Sequence, residues 1–553
     1  MMLVGLIWNG SLNQTCDWRM GSGRDKKKKA KGTGKKAHSD TASKEKKHAS
    51  KQQSGEDVDA LLAQVESEAS ANECSYCFNS GSPSPPRSFF ASASLQSSNE
   101  LLLHGGERVG SNGLVRCFSD LHRLHIPSTS HASWSKLTSG KSAPNPRSGH
   151  QLVTYEHGNS FRRCYLFGGE LCTPREDRFH HYCDLWRFHP DAPAQHAWRK
   201  LPLRGKNGGA TPCARSGHRM CICPHSPHVA LLFGGYFDSC KPKEGMMRFN
   251  DLFALDMERE EWTLLARLSS DSVGPEPRSA CNLIAEPESQ FVYVFGGFSR
   301  SGQPPVRTAD EPPEPEEGGP LADAWRICVS ADELESGRES QLSKSWERVP
   351  QGGAKPGTRA GTTMVRYRRK AIVFGGSFDR NTRNGEDIVS EFTADLHGFD
   401  LTRQKWQLMR PCCGGGLNLQ YVKPLPQMST TERAAATIQA TWRGHQARKT
   451  YRLMRANGQV SEMTYSKAER RKSEVERLKY PIGRMKAAAV VLNTKLIIYG
   501  GVVEVNDQDF ALQDCWVLDL DAMDHWHCVE PLGVELPKDS NAAVSSDGEG
   551  DSE

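Results

Sequence analysis

An all-β, six-bladed propeller with disordered tails and a helical insert is the fold this sequence predicts, and three observations predict it. An apolar run that closes on two glycines recurs six times. Around each copy an Arg upstream, an Asp downstream and then a Trp keep the same order. Short β-branched and aromatic stretches separated by turn residues give four strands per unit, the pattern of radially arranged sheets whose edges are protected by ring closure.

The glycine pairs come first. They end Leu101-Leu102-Leu103-His104-Gly105-Gly106, Tyr165-Leu166-Phe167-Gly168-Gly169, Leu231-Leu232-Phe233-Gly234-Gly235, Val292-Tyr293-Val294-Phe295-Gly296-Gly297, Ile372-Val373-Phe374-Gly375-Gly376 and Leu496-Ile497-Ile498-Tyr499-Gly500-Gly501. Glycine is expected there because a bulky side chain would crowd the central packing at the end of the second strand. Upstream stand Arg87, Arg147, Arg215, Arg278, Arg359 and Arg484, two of them in Arg147-Ser148-Gly149-His150 and Arg215-Ser216-Gly217-His218. Downstream, Asp120, Asp184, Asp251, Asp323, Asp395 and Asp514 each open a third strand. Trp134, Trp198, Trp262, Trp346, Trp406 and Trp526 mark the fourth, where each Trp is placed to cover a neighbouring blade.

These residues resemble the kelch repeat, over roughly residues 20–410 and 480–553. That family is known by fold more than by activity, so the resemblance implies a non-catalytic interaction propeller inside the cell, with nuclear or nucleolar association. Two stretches depart from the pattern: the first unit is short between Gly106 and Asp120, and a long insert separates the fifth and sixth.

The remaining segments are assigned by composition. Residues 1–53 form a basic tail, with twelve Lys or Arg against three acids over residues 24–51 and too little apolar surface to fold. In residues 54–82, Ser54 and Asp57 have capping-box spacing, and Val58, Leu61, Leu62 and Val65 line one face of a short helix that docks on the body or on a partner. Residues 83–410 hold blades one to five, 411–480 the insert, 481–530 blade six and 531–553 an acidic tail in which Ser546 precedes several acids. The apolar start over residues 3–8 is a poor signal peptide, with Met20 a second candidate start.

Composition excludes several classes. Seventy-one Lys and Arg against 66 Asp and Glu leave +5, too even for a nucleic-acid-coating polycation. No run approaches the roughly 20 apolar residues of a membrane helix, so no membrane partner is expected. Seventeen cysteines at irregular spacings fit a reducing compartment, and the isolated pair Cys74 and Cys77 lacks a second pair for a zinc knuckle. The chain is thus expected in the nucleus, nucleolus or cytoplasm, not secreted.

Partners are expected on one face. Strand two and strand four end on the same side, where the loops after the glycine pairs and the long insert emerge. Arg147, His150, Arg215, His218, Arg278, Arg359 and Arg484 are candidates there, against the alternative that the repeated arginines tie blades together.

Within the insert, Ile438, Gln439, Arg443, Gly444 and Arg448 match the IQ pattern, IQxxxRGxxxR, and Trp442 follows Ile438 by one helical turn. An alanine-rich, basic, amphipathic helix suits the acidic lobes of calmodulin or a calmodulin-like light chain. The resemblance to IQ helices implies that Ile438 and Trp442 enter a lobe while the arginines meet carboxylates. The lysines at 26–29 fit a nuclear address or weak RNA contact.

No cofactor or metal is expected. A galactose-oxidase-like metalloenzyme would need Tyr, His and Cys converging from several blades, whereas Cys172, His180, His181, Tyr182 and Cys183 share one loop. No catalytic elbow, phosphate loop or carboxylate pair stands out. The reading is a protein-interaction scaffold regulated through the IQ helix, with a ubiquitin-ligase substrate adaptor as the alternative.

Overall fold

The computed structural model describes residues 61–63 and, apart from short interruptions of which 300–318 is the longest, residues 84–411 and 480–532 of the 553. The basic tail, Ser54, Asp57, Val58 and Val65 of the expected N-terminal helix, residues 412–479 of the insert with 438–448 among them, and the acidic tail from residue 533 lie outside the described residues.

Six sheets form the ring. The first blade runs Ala91–Leu95, Glu100–His104, Leu121–His125 and Ser133–Leu137 as consecutive antiparallel neighbours. The sixth runs Ala488–Leu492, Lys495–Tyr499, Cys515–Asp519 and His527–Glu530 in the same order. Blades two to four repeat this, and the fifth gains a fifth, parallel strand, Gly352–Gly353, beside Lys405–Met409. Inner strands neighbour one another around the circle, and Ala488–Leu492 meets Ala91–Leu95. Each blade is therefore built from one continuous stretch, and the ring closes by packing rather than by a strand lent from the other end.

The core follows from the repeat. The stretch of each second strand that leads to the glycine pair is mostly apolar because both sheet faces are covered by neighbouring blades there; Leu101, Leu102 and Leu103 are all buried. Each repeated Trp is buried against the preceding blade, on the residue just before that blade's glycine pair. Ring centroids are 5.3 Å apart for Trp198 and His104, 5.1 Å for Trp262 and Phe167, and 5.6 Å for Trp346 and Phe233. They are 6.0 Å for Trp406 and Phe295, 6.1 Å for Trp526 and Phe374, and 5.1 Å for Trp134 and Tyr499 across the closing junction.

All twelve glycines of the pairs have positive φ, Gly168 at 68° and Gly169 at 92°. A Cβ on Gly168 would stand 2.7 Å from the Arg215 carbonyl oxygen of the next blade, and one on Gly169 2.7 Å from the His150 Cβ. The pair thus lets two blades approach to backbone distance. The Gly169 amide donates to the Arg215 carbonyl, and Gly106, Gly235 and Gly376 donate likewise to Arg147, Arg278 and Arg484.

Beyond the glycine pairs the chain forms hairpins on one face. Glu107–Val109 pairs with Val115–Cys117, Glu170–Cys172 with Phe179–His181, and Tyr236–Asp238 with Met246–Arg248. The short first connection therefore keeps its hairpin. Leu61 of the N-terminal helix is buried on the first two hairpins, against Val115, Cys117, Leu171, Cys172 and Tyr182, so at this residue the helix docks on the body. Among the described residues no helix is long and apolar enough to cross a membrane.

Candidate functional site: the axial cavity

The six inner strands begin on the hairpin face, and their first residues surround a cavity of about 310 Å³ on the propeller axis. Four residues after each repeated Arg stand Ala91, Gln151, Arg219, Asn282, Thr363 and Ala488, and all six line it. The backbone places this position identically in every blade, while its side chain varies: Ala in two copies, and Gln, Arg, Asn and Thr in one each. Phe89, Phe90, Met220, Met364 and Met485 add apolar wall, and Tyr236, Arg248 and Phe298 reach in from the hairpins.

The walls carry cationic groups. Arg219 donates its Nε to the Cys281 carbonyl at 2.7 Å, and burial pulls its guanidinium below the ordinary value without making it a neutral group at pH 7. The Arg248 guanidinium lies 5.3 Å over the Phe298 ring, and the Lys486 ammonium 3.7 Å over Phe89. Facing them, Glu170 accepts a hydrogen bond of 2.7 Å from the Tyr236 hydroxyl. Burial pushes the Glu170 carboxyl up to about 8, with the Tyr236 bond offsetting only part of that rise. His181 is buried beside it, accepting the Asp238 backbone N–H at Nε2 (3.1 Å) and 2.9 Å from the Ser216 hydroxyl at Nδ1. Burial lowers it to about 4. Near pH 7 the carboxyl and the imidazole are both mainly neutral, so the cavity is net positive.

The repeated arginines are placed differently from the expected ligand surface. Arg147, Arg215, Arg278 and Arg484 are fully buried. Arg147 is bidentate to Asp184, with Nη1–Oδ1 at 2.7 Å and Nη2–Oδ2 at 3.1 Å, and donates again to the Gly168 carbonyl at 3.0 Å. Arg215 with Asp251, Arg278 with Asp323 and Arg484 with Asp514 repeat the arrangement, as do Arg87 with Asp120 and Arg359 with Asp395. Burial alone would raise the Asp184 carboxyl, but the Arg147 guanidinium outweighs it and holds it below its usual value. These arginines fasten the third strand of their own blade to its first glycine. Their donors are spent inside the fold, which corrects the ligand-surface expectation for these four and leaves the alternative of an internal tie, here within one blade rather than between two. Arg359, half-buried, and His150 do reach the cavity wall, whereas His218 is buried against Phe167. His150 Nε2 lies 2.9 Å from His104 Nδ1.

Sequence reading missed Arg219, Arg248, Lys486, Tyr236 and Glu170. One signal was available: the residue four after each Arg is the first of an inner strand and varies among otherwise matching copies. The hairpin residues give no such signal, because the repeat pattern does not fix their lengths.

A family model described as the KLHDC2/KLHL20/DRC7 Kelch-repeats domain matches residues 55–297, 156–335 and 228–415, more than half of the chain in all. The chain is a kelch-repeat protein. Among curated relatives, leucine-zipper-like transcriptional regulator 1 of Homo sapiens is 23% identical over 315 residues, 56% of this chain and 30% of that protein. Its homolog in Drosophila melanogaster is 25% identical over 306 residues, 55% of this chain and 25% of that one. N-(sulfonatooxy)prop-2-enimidothioate sulfolyase of Thlaspi arvense is 29% identical over 175 residues, 32% of this chain and 42% of the enzyme. The chain thus spans under half the length of these relatives. Among solved structures, that of YjhT is similar with a TM-score of 0.43 and 13% identity, covering 80% of this chain and 97% of that one. A second family model, the IQ calmodulin-binding motif, matches residues 432–452.

Proposed function

We propose that this kelch propeller is a non-catalytic protein-interaction scaffold that takes an acidic segment of a partner protein into its axial cavity. One observation carries the reading: Arg219, Arg248 and Lys486 line a cavity whose wall, among the described residues, holds the single carboxyl of Glu170, kept mainly neutral. Apolar walls with a few converging polar groups are the usual make-up of a binding pocket. Regulation by calmodulin or a calmodulin-like protein through Ile438, Gln439, Trp442, Arg443, Gly444 and Arg448 is part of the proposal. The insert leaves at the end of blade five and returns at the start of blade six, on the cavity face, so a bound lobe there would stand beside the opening. The overall layout, with a Lys-rich start, a short helix and an acidic end, resembles kelch domain-containing protein 4, and with the lysines at 26–29 supports a nuclear or nucleolar place of action.

The test is fluorescence titration of the full chain with a Glu-rich peptide and a Lys-rich peptide of equal length. The proposal expects the acidic peptide to bind, binding to weaken as salt rises, and Arg219→Glu to abolish it. Preference for the basic peptide, or indifference to Arg219→Glu, would sink it.

A further inference from the structure

We propose that Glu107, Cys117 and Cys172 bind a divalent cation of the zinc class, clipping the first hairpin to the second beneath the N-terminal helix. Cys117 comes from the hairpin of blade one and Cys172 from that of blade two, fifty-five residues apart in the chain, yet their Sγ atoms stand 3.5 Å apart. The Glu107 carboxylate, on the strand paired with that of Cys117, completes a set whose donor atoms lie within 4.8 Å of one another. Zinc–sulfur bonds of about 2.3 Å at a tetrahedral angle hold two sulfurs roughly 3.7 Å apart, so the pair already has the spacing one ion requires.

The donor chemistry selects the ion. Two thiolates favour a soft or borderline cation over calcium or magnesium. The carboxylate oxygen distinguishes zinc, which accepts sulfur and oxygen together, from copper(I), which two sulfurs would satisfy. Binding displaces both thiol protons, and water fills the fourth position.

The surroundings fit a structural clip. Both cysteines are buried, and Leu61 closes over them with Val115, Leu171 and Tyr182. A backbone hydrogen bond from Val115 to the Pro174 carbonyl, 2.8 Å, already aligns the hairpins. Another trio, Asp524, His525 and His527, is as closely grouped but sits where the chain enters the last strand of blade six and has no thiol. Sequence alone could not suggest the site, since its donors come from two repeats.

The experiment measures zinc uptake by the full-length chain after chelation and reduction, beside Cys117→Ser/Cys172→Ser, Glu107→Gln and the exposed-thiol control Cys183→Ser/Cys213→Ser. The expected result is loss of one bound equivalent in the first variant, weaker zinc but unchanged copper(I) binding in Glu107→Gln, and wild-type uptake in the control. Equal uptake by wild type and a folded double variant would overturn the site. Should the double variant not fold, alkylation of the wild-type chain decides: zinc must protect Cys117 and Cys172 but not the equally buried Cys164, and equal rates with and without zinc would overturn it too.

Discussion

Trp134, on the outermost strand of the first blade, packs with its ring centroid 5.1 Å from that of Tyr499, which precedes the glycine pair of the last blade. The contact joins residues 365 positions apart and is the one made by the repeated Trp at the five other junctions. Ring closure thus uses the ordinary blade interface, supplemented by the Tyr499 hydroxyl donating to the Ser84 carbonyl at 3.1 Å and Gln96 Nε2 donating to the Val491 carbonyl at 2.6 Å.

Trp134→Ala should therefore cost as much as the same change at an interior junction. Loss of a buried Trp is expected to destabilise by about 3–5 kcal/mol. Urea denaturation of Trp134→Ala beside Trp262→Ala checks this, and a cost near zero for Trp134 alone would show that the ring does not depend on that junction.

The Arg215–Asp251 pair should behave as a buried ion pair. Asp251→Asn leaves a buried guanidinium without its counter-charge and is expected to cost about 3–5 kcal/mol. Arg215→Met with Asp251→Leu should be milder than that single change, because no charge is stranded. A double variant less stable than Asp251→Asn, measured by the same denaturation, would argue against this account.

Acid should weaken the propeller through its buried imidazoles. Burial lowers His104 to about 3 and His181 to about 4, and places His150 and His218 well below 6.5. A depressed folded-state value contributes stability that is present above 6.5 and lost as pH falls toward 3 to 4. Glu170 acts in the opposite direction: raised from 4.5 to about 8, its contribution is full below 4.5 and lost as pH rises through 8. Denaturation midpoints should thus fall from pH 6.5 toward 4, and His181→Asn should flatten the acid limb. Glu170→Gln should flatten the alkaline one.

The IQ match predicts calmodulin capture by a peptide of residues 429–457. Ile438→Asp with Arg443→Glu should abolish it, with or without calcium. Calorimetric titration checks this, and a doubly substituted peptide that binds as tightly as the parent would reduce the insert to a charged linker.

Sequence made the blades legible because one physical need, close backbone approach and a covering Trp, recurs six times and leaves the same residues at Gly168, Gly169 and Trp262 as elsewhere. It left Arg147 and Arg215 open between a ligand surface and an internal tie, since a repeated charge fits both until Asp184 and Asp251 are seen facing it. The cavity was less legible for the opposite reason: Gln151, Arg219 and Thr363 share a place but not a residue type. Cys117 and Cys172 meet only through the ring, which no local pattern encodes.

The most direct measurement is a photo-crosslinking map of an acidic peptide bearing a benzophenone at its centre, bound to the full chain and digested for mass spectrometry. The account predicts adducts on segments around Phe89, Gln151, Arg219 and Phe298, lost with Arg219→Glu. Adducts on the opposite face, around the turns at Asn99, Arg368 and Asn493, would contradict it.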